Sequence, residues 1–241
     1  MEQTPEQETD VVVRCLDDGQ FDFDPPFSSD PGDANHMVAR AYRLLSDSFL
    51  AENPSDPVLH GGSLISNGQR FLVSAQKGNG KTTLLLACLA AGMPVEADEH
   101  VVLRKGDLIA RPRTLRIKSG SVGLVPLLKD KVLASPSLRD WNGDFIYSFP
   151  PQTEQVRWKI RSGQADQLIF LEANFGGASS VERLEKDEAL ALLLQNCFLP
   201  DSNKSDALAR IYGLAQDTPA WQVHVGDLGQ AVSHIQRISQ M

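Results

Sequence analysis

Lys81 and Thr82 stand directly after a short glycine-bearing stretch, Ala75-Gln76-Lys77-Gly78-Asn79-Gly80, between the apolar run Phe71-Leu-Val-Ser and the leucines that begin at Leu84. The order predicts a strand, a phosphate-binding loop and a helix. Such a loop turns successive backbone N–H groups toward one point, and the unpaired N–H groups of the following helix add positive potential there. Gly78 and Gly80 let the backbone approach a phosphate without a Cβ in the way. Lys81 can reach the β- and γ-phosphates, and the Thr82 hydroxyl can ligate Mg²⁺. The spacing from Ala75 to Thr82 follows the P-loop form with alanine in place of the leading glycine, so Ala75 through Thr83 are the expected nucleotide-binding residues.

A phosphate loop holds a nucleotide without deciding the fate of its γ-phosphate; in kinases a nearby carboxylate takes the proton of the attacking hydroxyl. Asp98-Glu99 follow the strand expected after the loop helix, where the chain returns beside the loop. Asp98 is assigned to proton acceptance and Glu99, with Thr82, to Mg²⁺. Glu172 ends another apolar run, Leu168-Ile-Phe-Leu171, and is the carboxylate that a plain P-loop ATPase would use. Arg113, Arg116 and Lys118 form a local basic cluster, read as a solvated face before a phosphate or acidic-substrate contact. The remaining histidines, His36, His100, His224 and His234, have no ligand-like spacing to one another or to cysteine, and no transition-metal site is expected.

These residues need elements to position them. Val58 to Ile65 and Arg70 to Ser74 read as a hairpin closed by Asn67-Gly68, with the second strand feeding the loop. A helix is predicted from Lys81 to about Ala91, stopped by Gly92, and a short strand over Val95–Asp98. Val101–Leu103 and Leu108–Ala110 form a second hairpin around Lys105-Gly106. Downstream, the patterns predict a buried strand at Leu168–Leu171 and a helix around Leu190–Leu194. They continue with a helix over Ser205–Ala215, a strand over Trp221–Val225, and a last helix capped by Asp227 with Leu228, Ala231, Val232, Ile235 and Ile238 on one face. Upstream, Asp10–Leu16 reads as a strand, Asp17–Asp33 as loop and Ala34–Leu50 as a helix. The interval 121–165, broken by Gly123, Pro126, Pro136 and Pro150-Pro151, gives no clear assignment.

Composition narrows the function classes. The chain of 241 residues is 41% hydrophobic, enough for a substantial core, and is expected to be a single nucleotide-binding domain over 34–241 behind an acidic, partly disordered leader over 1–33. The leader holds ten acidic residues against Arg14, so of a net charge of −8 it carries −9 and the rest +1. A near-neutral body argues against nucleic acid as a partner. No apolar run is long enough to span a bilayer, and the acidic start is unlike a signal peptide, so no membrane partner and a cytoplasmic location are expected. Cys15, Cys88 and Cys197 are odd in number and lack metal-like spacing.

Leu59-His60-Gly61 opening the hairpin, Gly80-Lys81-Thr82 and Glu96-Ala97-Asp98-Glu99 together resemble the C-terminal catalytic domain of bacterial HPr serine kinase/phosphorylase, and more closely its shorter HPr-kinase-related members. The resemblance covers about 58–110 and 165–238 and is strongest around the loop. It implies an α/β fold with the P-loop-containing core shared by HPr kinases and phosphoenolpyruvate carboxykinases, a mixed sheet with flanking helices. It implies an ATP- and Mg²⁺-dependent kinase acting on a serine or other hydroxyl of a peptide or protein, with Asp98 as catalytic aspartate, Lys81 and Thr82 as nucleotide and metal contacts, and His60 beside the active site. It also admits a homo-oligomer. The sequence departs from that family at Glu99, where a second aspartate is usual, and at Arg116-Ile-Lys-Ser-Gly-Ser-Val-Gly, where the family signature segment is absent. These departures weigh against HPr as acceptor and motivate a second reading, a nucleotide-binding regulatory or scaffold module without transfer activity.

Overall fold

The computed structural model describes residues 12–15, 21–24, 55–110, 114–139, 143–151, 161–200 and 202–241. The chain divides into two compact units, Met1–Pro54 and Ser55–Met241. In the first, β1 (Val12–Cys15) pairs antiparallel with β2 (Phe21–Asp24). A strand is present at Val12–Cys15, within the expected Asp10–Leu16, but Phe21–Asp24 is strand where loop is expected: the alternation Phe-Asp-Phe-Asp has the period of a strand, hidden by its acidity. The expected disorder at 1–9, the helix over 34–50 and Arg113 lie outside the described residues.

The second unit begins with the hairpin of β3 (Val58–Ser66) and β4 (Gln69–Ala75). Its turn has φ of 49° at Asn67 and 80° at Gly68, the left-handed pair that a two-residue hairpin turn requires. The helix α1 (Lys81–Ala90) follows, then β5 (Val95–Ala97), and the hairpin of β6 (His100–Arg104) and β7 (Asp107–Ala110). The next stretch runs through β8 (Leu115–Lys118), α2 (Ser119–Val122), a 3₁₀ turn at Pro126–Leu128, α3 (Lys129–Leu133), β9 (Ser137–Arg139) and β10 (Phe145–Phe149). The chain closes with β11 (Arg161–Gly163), β12 (Gln167–Ala173), β13 (Ser180–Leu184), α4 (Lys186–Gln195), β14 (Cys197–Phe198), α5 (Lys204–Asp217), β15 (Ala220–Val225) and α6 (Leu228–Ile238).

The fold is mixed α/β. Ten strands form one curled sheet in the order β11-β7-β6-β3-β4-β12-β15-β13, with β5 and β14 also paired to β3. Within it β4, β12 and β15 are parallel and the other pairings antiparallel. Side chains alternate between two apolar layers because successive strand residues face opposite ways. Phe71, Val73, Ala75, Ile169, Leu171 and Val223 pack with α1 and α6, while Leu72, Leu168 and Phe170 pack with α4 and α5.

Leu84, Leu85 and Leu86 are all fully buried, although three consecutive helical residues cannot face one sheet. The stretch from β8 to β10 supplies the other cover. β8 and β9 flank β10 in a separate three-stranded sheet, and Leu115, Ile117, Val122, Val125, Val132 and Phe149 join the layer around α1. From β8 to β10 the described residues are therefore the outer wall of the loop helix, while β11, in the same interval without a clear sequence pattern, pairs with β7 in the main sheet. That wall includes short helices at Ser119–Val122 and Lys129–Leu133.

Gly62 marks the tightest approach between sheet and helix. A Cβ there would lie 2.5 Å from Leu85 Cδ1 and 2.9 Å from the Ala97 carbonyl oxygen, whereas one at Gly61 would meet its first neighbours at 3.0 and 3.2 Å. Gly62→Ala should cost about 1–3 kcal/mol through overpacking, and more than Gly61→Ala, as read from denaturant midpoints. Equal midpoints for Gly62→Ala and the wild type would contradict this packing.

Candidate functional site

The residues with chemical potential meet at the edge of the sheet where β4 ends. Gln76, Lys77 and Gly78 are exposed; Asn79 N–H donates to the Gln76 carbonyl at 3.2 Å, and Asn79 Nδ2 donates to the Leu171 carbonyl at 3.2 Å, tying the loop to the neighbouring strand β12. Gly78 and Gly80 have φ of 99° and 82°, conformations open to glycine and strained for other residues. Gly80 is the N-cap of α1 and offers no side-chain acceptor, so the N–H groups of the first helical turn have no capping side chain. Ala75 is 3% exposed and pairs with Leu171 at the end of the strand. That explains the alanine: its methyl belongs to the apolar layer.

Lys81 is only 9% exposed, and its ammonium is paired with Asp98, itself 5% exposed. The other carboxylate oxygen of Asp98 accepts from Thr82 Oγ1 at 2.8 Å. The two residues at the head of α1 and the first acid of the Asp-Glu pair thus form one connected group. Thr83 faces elsewhere, its hydroxyl donating to Ser121 Oγ at 3.2 Å and fixing α1 to its outer wall.

The route that brings Asp98 here runs through β3. Ala97 pairs with Ser63 and His100 with His60, so 97–100 follow β3 in one register across from Gly61 and Gly62. Between them Glu99 has a φ of 77°, uncommon for a residue with a Cβ, and its carbonyl accepts from Gly61 N–H at 3.2 Å. The acid pair is a kink in an otherwise continuous line of strand. Glu96, 4% exposed, anchors that line: its carboxylate accepts from Arg70 Nε at 2.9 Å, Arg70 Nη2 at 3.2 Å and Ser63 Oγ at 2.9 Å. The hydrogen bond to Glu96 in turn raises the Arg70 guanidinium above its usual range. Arg70 and Ser63 give no signal in the sequence, because the register shift between Ser63 and Leu64 turns Glu96 to the face of Ser63, Arg70 and Leu72, opposite the face on which Asp98 meets α1.

His60 closes the group. Its N–H donates to the Asn196 carbonyl at 2.7 Å and its carbonyl accepts from Ser74 Oγ at 3.1 Å, so its backbone is held from two sides. Burial, then the charge of Lys81, lowers the imidazole below its ordinary pKa. Burial, then the charge of Asp98, raises the Glu99 carboxyl above the ordinary range. Arg116 and His60 act on Glu99 in the opposite sense, which puts one member of the basic cluster in the electrostatic environment of the site. Glu172 does not join it. It shares a face of β12 with Phe170, the face away from α1, and lies 3.3 Å from His224 Nδ1 with its side chain 60% exposed.

Two outcomes follow. The strained φ at Glu99 costs on the order of 1 kcal/mol, so Glu99→Gly should raise the thermal midpoint while removing the half-buried carboxyl from the site; a lowered midpoint would contradict the strain. For His60 the folded state disfavours the proton, so the stabilising contribution is present above the unfolded pKa of about 6.5 and is lost as pH falls below it. His60→Asn should therefore lose less stability than wild type as pH drops through that window, with both measured without Mg²⁺. Parallel curves would refute the shift.

No protein-family model matches the chain, and no curated protein matches it. Among solved structures, the Hpr(Ser) kinase/phosphatase from Coxiella burnetii is weakly similar, with a TM-score of 0.35 and 11% identity over 76% of this chain and 92% of that one. Among the described residues no helix is long and apolar enough to cross a membrane.

Proposed function

We propose that the chain is an ATP-dependent phosphotransferase of the HPr-kinase-related kind, acting on a serine or other hydroxyl of a peptide or protein. The observation that carries the proposal is the Asp98 carboxylate shared between Lys81 and Thr82 at the head of α1. It joins a phosphate-binding cation, a metal-binding hydroxyl and a proton acceptor, the three parts that phosphoryl transfer needs.

The residues fit the nucleotide and the metal. The left-handed glycines Gly78 and Gly80, the uncapped first turn of α1 and Lys81 form a donor set suited to phosphate oxygens. Thr82 and Glu99 would hold Mg²⁺, which supplies neutralisation of charge on the transferring phosphate. Among the described residues no group of three His, Cys, Asp or Glu side chains is arranged to hold a metal alone, so the ion would depend on phosphate oxygens, as Mg²⁺ commonly does. Lys81 neutralises phosphate charge. Asp98 accepts the hydroxyl proton as the oxygen of the acceptor bonds to the γ-phosphorus and the bond to the β,γ-bridging oxygen breaks, releasing ADP. The lowered pKa of His60 keeps its imidazole neutral beside Lys81 at neutral pH.

Incubation of the pure protein with γ-labelled ATP, Mg²⁺ and lysate from its own source should transfer label to a particular polypeptide. Lys81→Ala and Asp98→Asn should each reduce that transfer by roughly 10²–10⁴-fold. Removing one partner of the buried pair also threatens folding by about 3–5 kcal/mol, so circular dichroism must first show both variants folded. Transfer at the wild-type rate by folded Lys81→Ala would overturn the proposal. Nucleotide bound by the wild type with no label on any polypeptide would favour the regulatory module.

A further inference from the structure

β12 leaves the sheet at Ala173 into the turn Asn174-Phe175-Gly176-Gly177, beside the glycine loop. The Gly177 N–H donates to the Asn174 carbonyl at 2.9 Å, and Gly176 has a φ of 86°, which places Phe175 at the outer corner of a tight turn. Several bonds hold that turn. Asn174 N–H donates to the Val225 carbonyl at 2.9 Å and Asn174 Nδ2 to the Ala178 carbonyl at 2.9 Å. Gly226 admits the turn against the end of β15, since a Cβ there would lie 2.1 Å from the Gly177 carbonyl oxygen. Ser179 Oγ, accepting from Gly226 N–H at 2.9 Å and donating to the Asp227 carbonyl at 2.6 Å, secures the far side.

This fixed turn presents an aromatic ring to water. Phe175 is 70% exposed, and its Cε1 would be the first atom met by a Cβ on Gly80, at 4.0 Å. The other exposed phenylalanines rest against partners: Phe145 lies on Tyr147 and under Arg139, and Phe198 meets the ring of His100 edge-on. Among the described residues Phe175 has no ring or cation against it. An exposed ring on a rigid turn beside a phosphate-binding loop is a stacking surface, because every nucleobase has a π-face and base–aromatic stacking is tolerant of base identity.

The geometry points to Phe175 as the platform for the nucleobase of the nucleotide whose phosphates the 76–83 segment would hold. The inference rests on that reading of the segment. The ligand is a nucleoside triphosphate, with the ring contributing affinity for the base and none for the phosphate chain. Stacking alone gives little discrimination between purines, so the site should accept GTP about as well as ATP unless other side chains read the base edge.

The test compares ATP, GTP and inorganic triphosphate by calorimetric titration in Mg²⁺, on wild type, Phe175→Ala and Phe175→Trp. Because the side chain is exposed, the variants should fold as the wild type does. Phe175→Ala should weaken ATP and GTP by roughly five- to a hundred-fold and leave inorganic triphosphate unchanged, while Phe175→Trp retains both nucleotides. Unchanged ATP affinity in Phe175→Ala, with triphosphate still bound, would overturn the platform and leave the phosphate site intact. Equal weakening of all three ligands would overturn it too, marking the ring as a support of the loop. If the wild type binds none of the three, the phosphate site itself fails and the platform with it.

Discussion

A lysine and an aspartate that are both nearly removed from water can coexist only as partners. The effective cost of an unpaired buried charge is several kcal/mol, more than most single contacts return. Lys81 at 9% exposure and Asp98 at 5% therefore constrain each other, and through them the head of α1 is tied to the end of β5. That strand is too short to hold itself. Its three residues make two pairings with β3, with a register shift between them. Charge secures it at its centre and just beyond its end: Glu96 is gripped by Arg70 and Ser63, and Asp98, two residues on, by Lys81 and Thr82. The same carboxylate that orders the apparatus would also compete with phosphate and metal for Lys81 and Thr82, so under the kinase reading nucleotide binding and rearrangement of Asp98 are one event.

Much of this was legible because the physics is local. The left-handed turn pairs Asn67-Gly68 and Lys105-Gly106 announce hairpins, the cap at Asp227 accepts from Gln230 N–H at 2.8 Å, and the face of α6 is buried at Ala231, Val232, Ile235 and Ile238 as the helical spacing requires. What escaped lacks a continuous apolar pattern in the sequence. β13 is an edge strand whose residues are all exposed or half-buried, and β2 is masked by its acids. In 119–133 the buried Val122, Val125 and Val132 do follow helical spacing, but Gly123 and Pro126 divide the run into pieces too short to be recognised alone. At the candidate site, Lys81 and Asp98 are seventeen positions apart in sequence, and the loop-helix-strand order was enough to bring them together. Arg70 was missed because an arginine in a hairpin strand reads as solvated. Its partner Glu96 comes from a strand brought alongside only by the fold.

The mixed sheet is what lets such distant residues share one edge. In β4, β12 and β15 the parallel direction delivers three strand ends to the same side, and with them the loop after Ala75, the turn after Ala173 and Gly226. A purely parallel sheet would stop there, because strand starts would all lie at the opposite edge. β3 runs antiparallel to β4, with Gly61 opposite Ser74, so His60 lies at the level where β4 finishes. The line formed by β5 and β6 runs antiparallel to β3 in turn, and crosses that level at Asp98 and Glu99. Parallel strands thus bring their ends to this level, while the antiparallel neighbours bring His60 from within β3 and the acid pair from the bend between β5 and β6. The glycine opposite that bend lets α1 close on the sheet: a Cβ at Gly62 would strike Leu85 and the Ala97 carbonyl, so without a shift the helix that carries Lys81 could not lie this near to the line that carries Asp98.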